Sequence, residues 1–75
     1  MTLDKHTIQG IPPISAKTLP VADFEQLMVN AGYIRIGSAP AKGNRVKVWW
    51  SHPTFPRVES IYSSDMQVTI TAYHV

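Results

Sequence analysis

Residues 45–75 read RVKVWWSHPTFPRVESIYSSDMQVTITAYHV, and the fold turns on them. From Arg45 to Trp50 the side chains alternate, with Val46, Val48 and Trp50 on one face and Arg45, Lys47 and Trp49 on the other. Ser51–Pro56 carries two prolines, which remove backbone donors from any ladder, so it reads as a stiff connection rather than a central strand. Arg57–Ser63 and Gln67–Val75 then form a hairpin. Its register matters, because one step moves every side chain to the opposite face. A two-residue turn at Ser64-Asp65 sets Glu59 opposite Ile70 on the buried side. A three-residue loop instead sets Val58 opposite Ala72 and Tyr62 opposite Val68, and gathers Arg57, Glu59, Thr69, Thr71 and Tyr73 on an open face. Burial favours the second, although it places Met66 where glycine is usually found.

Upstream of this sheet lies one helical pattern. Val21, Phe24, Leu27, Met28 and Ala31 fall at spacings that stack them on one side of a 3.6-residue repeat. Pro20 suits a first turn, Asp23 and Glu25 sit at the positive end of the macrodipole, and Gly32 suits the left-handed position after the last turn. Thr18 is a candidate cap. Tyr33–Ile36 alternates again and reads as a short strand with Ile34 and Ile36 facing the core. Gly37–Asn44 reads as a flexible cationic loop containing Lys42. It does not match a phosphate-cradling loop, because Asn44 and Arg45 follow its last glycine and open a strand, where lysine and a hydroxyl opening a helix are required.

Residues 1–19 show no period, and Pro12, Pro13 and Pro20 interrupt any regular element. This is an arm. Ile8, Ile11, Ile14 and Leu19 are too apolar for a solvated tail, so it is expected to lie along the domain or a second subunit, with His6 in solvent. The expected architecture is therefore α+β. One helix, Pro20–Ala31, packs on a four-stranded antiparallel sheet with strands near 33–36, 45–50, 57–63 and 67–75, in a single domain 20–75 behind an irregular N-terminal arm 1–19. The expected core is Phe24, Leu27, Met28, Ile34, Ile36, Val46, Val48, Trp50, Val58, Val68 and Ile70.

Seventy-five residues suffice for one hydrophobic core. No cysteine is present, which excludes disulfides and thiolate zinc sites. His6, His52 and His74 are widely separated and form no HxH or HExxH pair, so no metal and no cofactor are expected. No apolar run reaches the length of a membrane span, and the first residues lack the charged and apolar regions of a signal peptide, which predicts a cytoplasmic protein with no membrane partner. So small a core leaves little stability in reserve. Covering Trp49 and the arm isoleucines in a homodimer or heterocomplex is the expected remedy.

The formal net charge is only +2, but its distribution is uneven. No carboxylate occurs from Gln26 to Val58, while Arg35, Lys42, Arg45, Lys47 and Arg57 all do. Half the chain is cationic, which favours an anionic partner, either RNA or an acidic protein surface. In the preferred register the open face carries Arg45, Lys47, Trp49, Arg57, Glu59 and Tyr73, with His52 and His74 near its ends. Trp49 and Tyr73 could stack bases, with Lys42, Arg45 and Lys47 on the backbone. Metal-free RNA cleavage needs a base, an acid and cations on the phosphate, and Glu59, His52, His74 and Arg57 could supply them.

The helix followed by an antiparallel sheet, with Arg57 and Glu59 on one strand and Tyr73-His74 ending the next, resembles the metal-independent ribonuclease toxins, the superfamily that includes RelE, barnase and the tRNase colicins. The resemblance spans Pro20–Val75 in element order. It implies RNA cleavage with Glu59 or His74 as base and acid and with Lys47 and Arg57 on the phosphate. The chain departs from that pattern in having one helix and a shorter length. The opening FEQLMVNAGYIRIG (24–37) is similar to HicA-type RNA-binding toxins, but the histidine after their first strand and their second helix are missing. Two rival functions are a non-catalytic protein-binding module, such as a phage-encoded inhibitor of a host nucleic-acid-binding complex, and a dimerising structural protein.

Overall fold

The computed structural model describes residues 2–75. A short 3₁₀ turn at Leu3–Lys5 leads through an irregular arm to β1 (Leu19–Pro20) and helix α1 (Val21–Asn30), followed by β2 (Ile34–Pro40), β3 (Val46–Ser51), β4 (Val58–Tyr62) and β5 (Val68–His74), with a second 3₁₀ turn at Lys42–Asn44. All strand pairs are antiparallel, in the order β1-β5-β4-β3-β2. The α+β class agrees with expectation. The sheet has five strands rather than four, because Leu19 and Pro20 lie against Thr69 and Val68 at the edge of β5. A two-residue strand leaves no periodicity to read.

Helix α1 starts one residue later than expected and has no side-chain cap; the Val21 N–H donates instead to the Gln67 carbonyl, 2.9 Å away. Its end follows the glycine rule. Gly32 has φ +94°, Tyr33 N–H donates to Met28 O at 3.0 Å and Gly32 N–H to Val29 O at 3.0 Å, the paired bonds of a Schellman ending. Phe24 and Met28 are fully buried, and Phe24 meets Trp50 and Tyr62 edge-on at centroid distances of 6.2 and 6.3 Å. The buried indole of Trp50 donates to Ser60 Oγ, which donates to Val48 O, so no polar atom of that pair is left unsatisfied.

Two bulges move side chains away from their expected faces. In β2 the register shifts between Arg35 and Gly37, which lets the strand continue through Gly37–Pro40, residues expected in a loop. Arg35 then lies opposite Trp50 and reaches Glu25 of α1 at 3.6 Å, so it occupies the helix side. Ile34 and Ile36, expected in the core, are 66% and 48% exposed, and Tyr33 is buried in their place. In the last hairpin the register shifts between Ile61 and Tyr62, so Thr69 sits opposite Tyr62 and is fully buried, whereas Val68 and Ile70 are only half-buried. The loop has four residues: Ser63 N–H bonds Val68 O, Met66 N–H bonds Ser63 O, and Met66 takes φ 62°.

The arm is part of the core. Leu3, Ile8 and Ile11 are buried with Phe24, Trp50 and Ala72, and Leu3 N–H donates to Lys17 O at 3.0 Å. Past the end of β1 the arm follows β5, with Thr71 Oγ1 donating to Thr2 O and Gln9 N–H donating to His74 Nε2.

Leu3→Ala is expected to cost about 2–5 kcal/mol of unfolding free energy, the range for truncating a fully buried leucine. Unchanged denaturation would show the arm to be dispensable. Met66→Gly is expected to add about 0.5 kcal/mol, the relief of a left-handed non-glycine residue less the extra entropy of glycine in the unfolded chain. A loss in the same urea titration would mean the half-exposed Met66 side chain packs usefully.

Candidate functional site

The face opposite α1 carries two rows of side chains set by strand register. Gly37, Trp49, Glu59 and Tyr73 lie side by side on β2, β3, β4 and β5, and Ala39, Lys47, Ile61 and Thr71 form the next row. Gly37 has a local purpose, since the Trp49 ring lies above it, 3.6 Å from where a Cβ would stand. The expected grouping of Lys47, Trp49, Glu59 and Tyr73 on one face is present.

Glu59 is the hub of that row. Its Oε1 accepts from Trp49 Nε1 at 3.0 Å and lies 4.0 Å from Lys47 Nζ, and its Oε2 accepts from the Tyr73 hydroxyl. The side chain is 14% exposed. Burial alone would raise its pKa; the Tyr73 phenol, the Trp49 indole and the Lys47 ammonium outweigh burial and hold it below the ordinary carboxylate value. The same contact, with burial second, pushes the Tyr73 phenol up to about 12. Glu59 is thus an anion with both oxygens engaged. A free general base would need at least one of them.

The two histidines are also engaged, by backbone. His52 Nδ1 accepts from the N–H groups of Thr54 (3.0 Å) and Phe55 (3.2 Å), so Nε2 carries the proton and donates to Ala31 O at 3.0 Å. It caps the C-terminal turn of α1 and stacks on Phe55 at 4.4 Å. His74 Nε2 accepts from Gln9 N–H at 2.9 Å, which leaves Nδ1 to donate to Pro56 O at 3.1 Å. His74 lies opposite Val58, and the register gives it the parity of Ala72 and Ser60, not that of Glu59 and Tyr73. Glu59, His52 and His74 are therefore not brought together around one point.

No protein-family model, curated protein or solved structure matches the chain.

The remaining predicted contacts are cations. Lys42 and Arg45 flank the turn between β2 and β3, where Gly43 and Asn44 have φ 76° and 63°, beside a shallow depression lined by Ser38, Ala39, Pro40 and Asn44. Arg57 leads into β4 at the opposite end of the sheet, its carbonyl accepting from Val75 N–H. All three are exposed, and none has a carboxylate within 4.0 Å among the described residues. Among the described residues, too, no group of three His, Asp or Glu side chains is placed to hold a metal ion, and no helix is long and apolar enough to cross a membrane. His6, expected in solvent, is half-buried edge-on to Tyr73 at 5.5 Å. Nothing in its neighbours in sequence signals that contact, which depends on where the arm lands.

Because the pKa of Glu59 is depressed on folding, the carboxylate stabilises the fold above its unfolded value, near 4.5, and that contribution is lost as pH falls through the folded value. Glu59→Gln is expected to cost about 1.5–3 kcal/mol at pH 7, the range for hydrogen bonds to a charged group. The gap between variant and parent should shrink by pH 3. A gap of equal size at both pH values would show that the charge contributes nothing.

Proposed function

We propose that the chain is a non-catalytic RNA-binding module that takes a single strand across the open sheet face. The observation that carries this reading is the set of unpaired cations. Of the five in the carboxylate-free interval, Arg35 is paired with Glu25 and Lys47 with Glu59, and Lys42, Arg45 and Arg57 are left for an external anion. They stand at the two ends of β3, a strand that spans roughly 20 Å at 3.3 Å per residue. Between them lie the partly exposed rings of Trp49 and Tyr73. Separated phosphate contacts with aromatic surface between them suit a flexible strand with splayed bases, and no helix is presented to a duplex groove.

The site chemistry supports binding without cleavage. Glu59, His52 and His74, the groups expected to move protons, are already held by partners that the fold uses, and His6, the remaining imidazole near the row, is packed against Tyr73 with Nε2 buried. Moving a proton at His52 or His74 would require breaking a bond to the backbone of α1, the arm or the 52–56 connection. The apolar edge of β2 favours a protein partner as a second reading.

A labelled oligoribonucleotide titrated at several salt concentrations tests the proposal. Affinity should fall steeply with salt, and Arg45→Ala and Arg57→Ala should each flatten the log–log slope by about 0.7, the increment for one contact to a single strand. Total RNA incubated with the protein in excess chelator should stay intact. Salt-insensitive or absent binding would sink the reading, and discrete 3′ ends that disappear in Glu59→Gln would replace it with the ribonuclease.

A further inference from the structure

The polar side chains in the middle of the open face are committed to one another. Glu59 takes the Trp49 indole N–H on Oε1 and the Tyr73 hydroxyl on Oε2, and Lys47 of the neighbouring row stands 4.0 Å from Oε1. The rest of that row is Ala39, Ile61 and Thr71, and Thr71 is buried with its hydroxyl donating to Thr2 O. His6, edge-on to Tyr73 at 5.5 Å, keeps Nε2 buried. These two rows therefore offer a ligand the surfaces of two rings and the remaining N–H bonds of one lysine. They offer no free side-chain acceptor.

We infer that the single strand bound here, given the binding on which this step rests, is held by stacking without readout of base sequence and without distinction between ribose and deoxyribose. Telling one base from another takes hydrogen-bonding groups aimed at base edges, and telling RNA from DNA takes a partner for the 2′-hydroxyl. The groups that would serve, the Trp49 N–H, the Tyr73 hydroxyl and the Glu59 oxygens, are already bonded within the row. Every base has a π-face, so a platform of rings accepts them all. The cations at the two ends of the sheet add phosphate contacts, which carry no sequence information either.

Glu59 is the positioning residue of this platform. Trp49 stands on β3 and Tyr73 on β5, with Glu59 between them on β4. Two strand spacings separate the rings by about 10 Å, against a rise of about 3.4 Å between stacked bases. The two rings thus receive bases drawn apart from each other, a state open to a flexible single strand and closed to a duplex. Trp49 is the principal ring, because Gly37 leaves its β2 flank without a side chain whereas His6 covers part of Tyr73.

Fluorescence titration of the full chain with homo-oligomers of adenine, uracil and cytosine, about ten nucleotides long and in both ribose and deoxyribose form, tests this at low salt. Trp50 is buried and bonded to Ser60, so quenching by bound bases reports Trp49. Every oligomer should quench, with dissociation constants within about threefold between sugars and within about tenfold between bases. Trp49→Phe, which keeps a ring and loses the N–H, should bind each oligomer within about threefold of the parent, whereas Trp49→Leu should weaken all of them by a similar factor of about five or more. Should Trp49→Leu fail to fold by circular dichroism, the parent titration and Trp49→Phe still decide. A preference beyond about tenfold for one base or one sugar, or salt-sensitive binding without quenching, would overturn the inference and leave single-strand binding standing. Absence of binding to every oligomer would overturn both.

Discussion

The constraint on which the rest depends is that one ten-residue helix cannot cover a five-stranded sheet. α1 lays Phe24 and Met28 onto Trp50, Val48 and Tyr62, and that contact fills only the middle of the inner face. The arm completes the core with Leu3, Ile8 and Ile11, and it approaches along β5 because β1 and the Leu3–Lys17 bond anchor it there. Gly10 shows how tight the fit is. It has φ +88°, and a Cβ at that position would stand 2.6 Å from the Phe55 ring. A side chain there would be both strained and in collision, so the arm, the 52–56 connection and the end of α1 form one packed unit.

Histidine serves this packing as a two-ended connector. An imidazole with one protonated nitrogen both donates and accepts, so each ring can satisfy a carbonyl and an N–H from segments that have no ladder of their own. His52 joins the last turn of α1 to the 52–56 connection, and His74 joins the arm to the same connection. The bonds to Ala31 O and Phe55 N–H are part-buried, where an unpaired group is costlier than at the exposed Gln9, Thr54 and Pro56. The same bonds occupy both nitrogens of each ring.

The helix, its glycine stop and the faces of β3 and β4 were legible in the sequence because each depends on neighbours in the chain. Spacing alone puts Phe24 beside Met28, and alternation alone separates Trp50 from Trp49. What was not legible depends on partners far away. The bulges at Ile36 and between Ile61 and Tyr62 arise from strand pairing and invert parity beyond the bulge, so the alternation of Ile34 with Ile36 and of Val68 with Ile70 pointed to the wrong face. Strand β1 exists only because β5 runs beside it. The common face of Lys47, Trp49, Glu59 and Tyr73 could be anticipated from alternation, but the expected register set Val58 opposite Ala72 where the structure sets it opposite His74, so the row that places Glu59 beside Tyr73 could not, nor could the bonds that hold the histidines. Gln9 and His74 are 65 positions apart.

Charge shows the same division between what a linear reading gives and what folding does with it. The carboxylate-free interval suggested a uniformly cationic face. In the fold, acids from outside the interval return to it: Glu25 from the helix meets Arg35 and the Tyr62 hydroxyl, and Glu59 from β4 meets Lys47. Both neutralised cations lie in the body of a strand, where a carboxylate on a neighbouring element can reach them. The three that escape sit at strand ends and turns, where no neighbour projects. The positive potential is therefore concentrated at two ends of a sheet whose middle is aromatic and close to neutral. A partner would feel two anchoring points and a flat surface between them, an arrangement in which salt should govern affinity while the rings govern which partner fits.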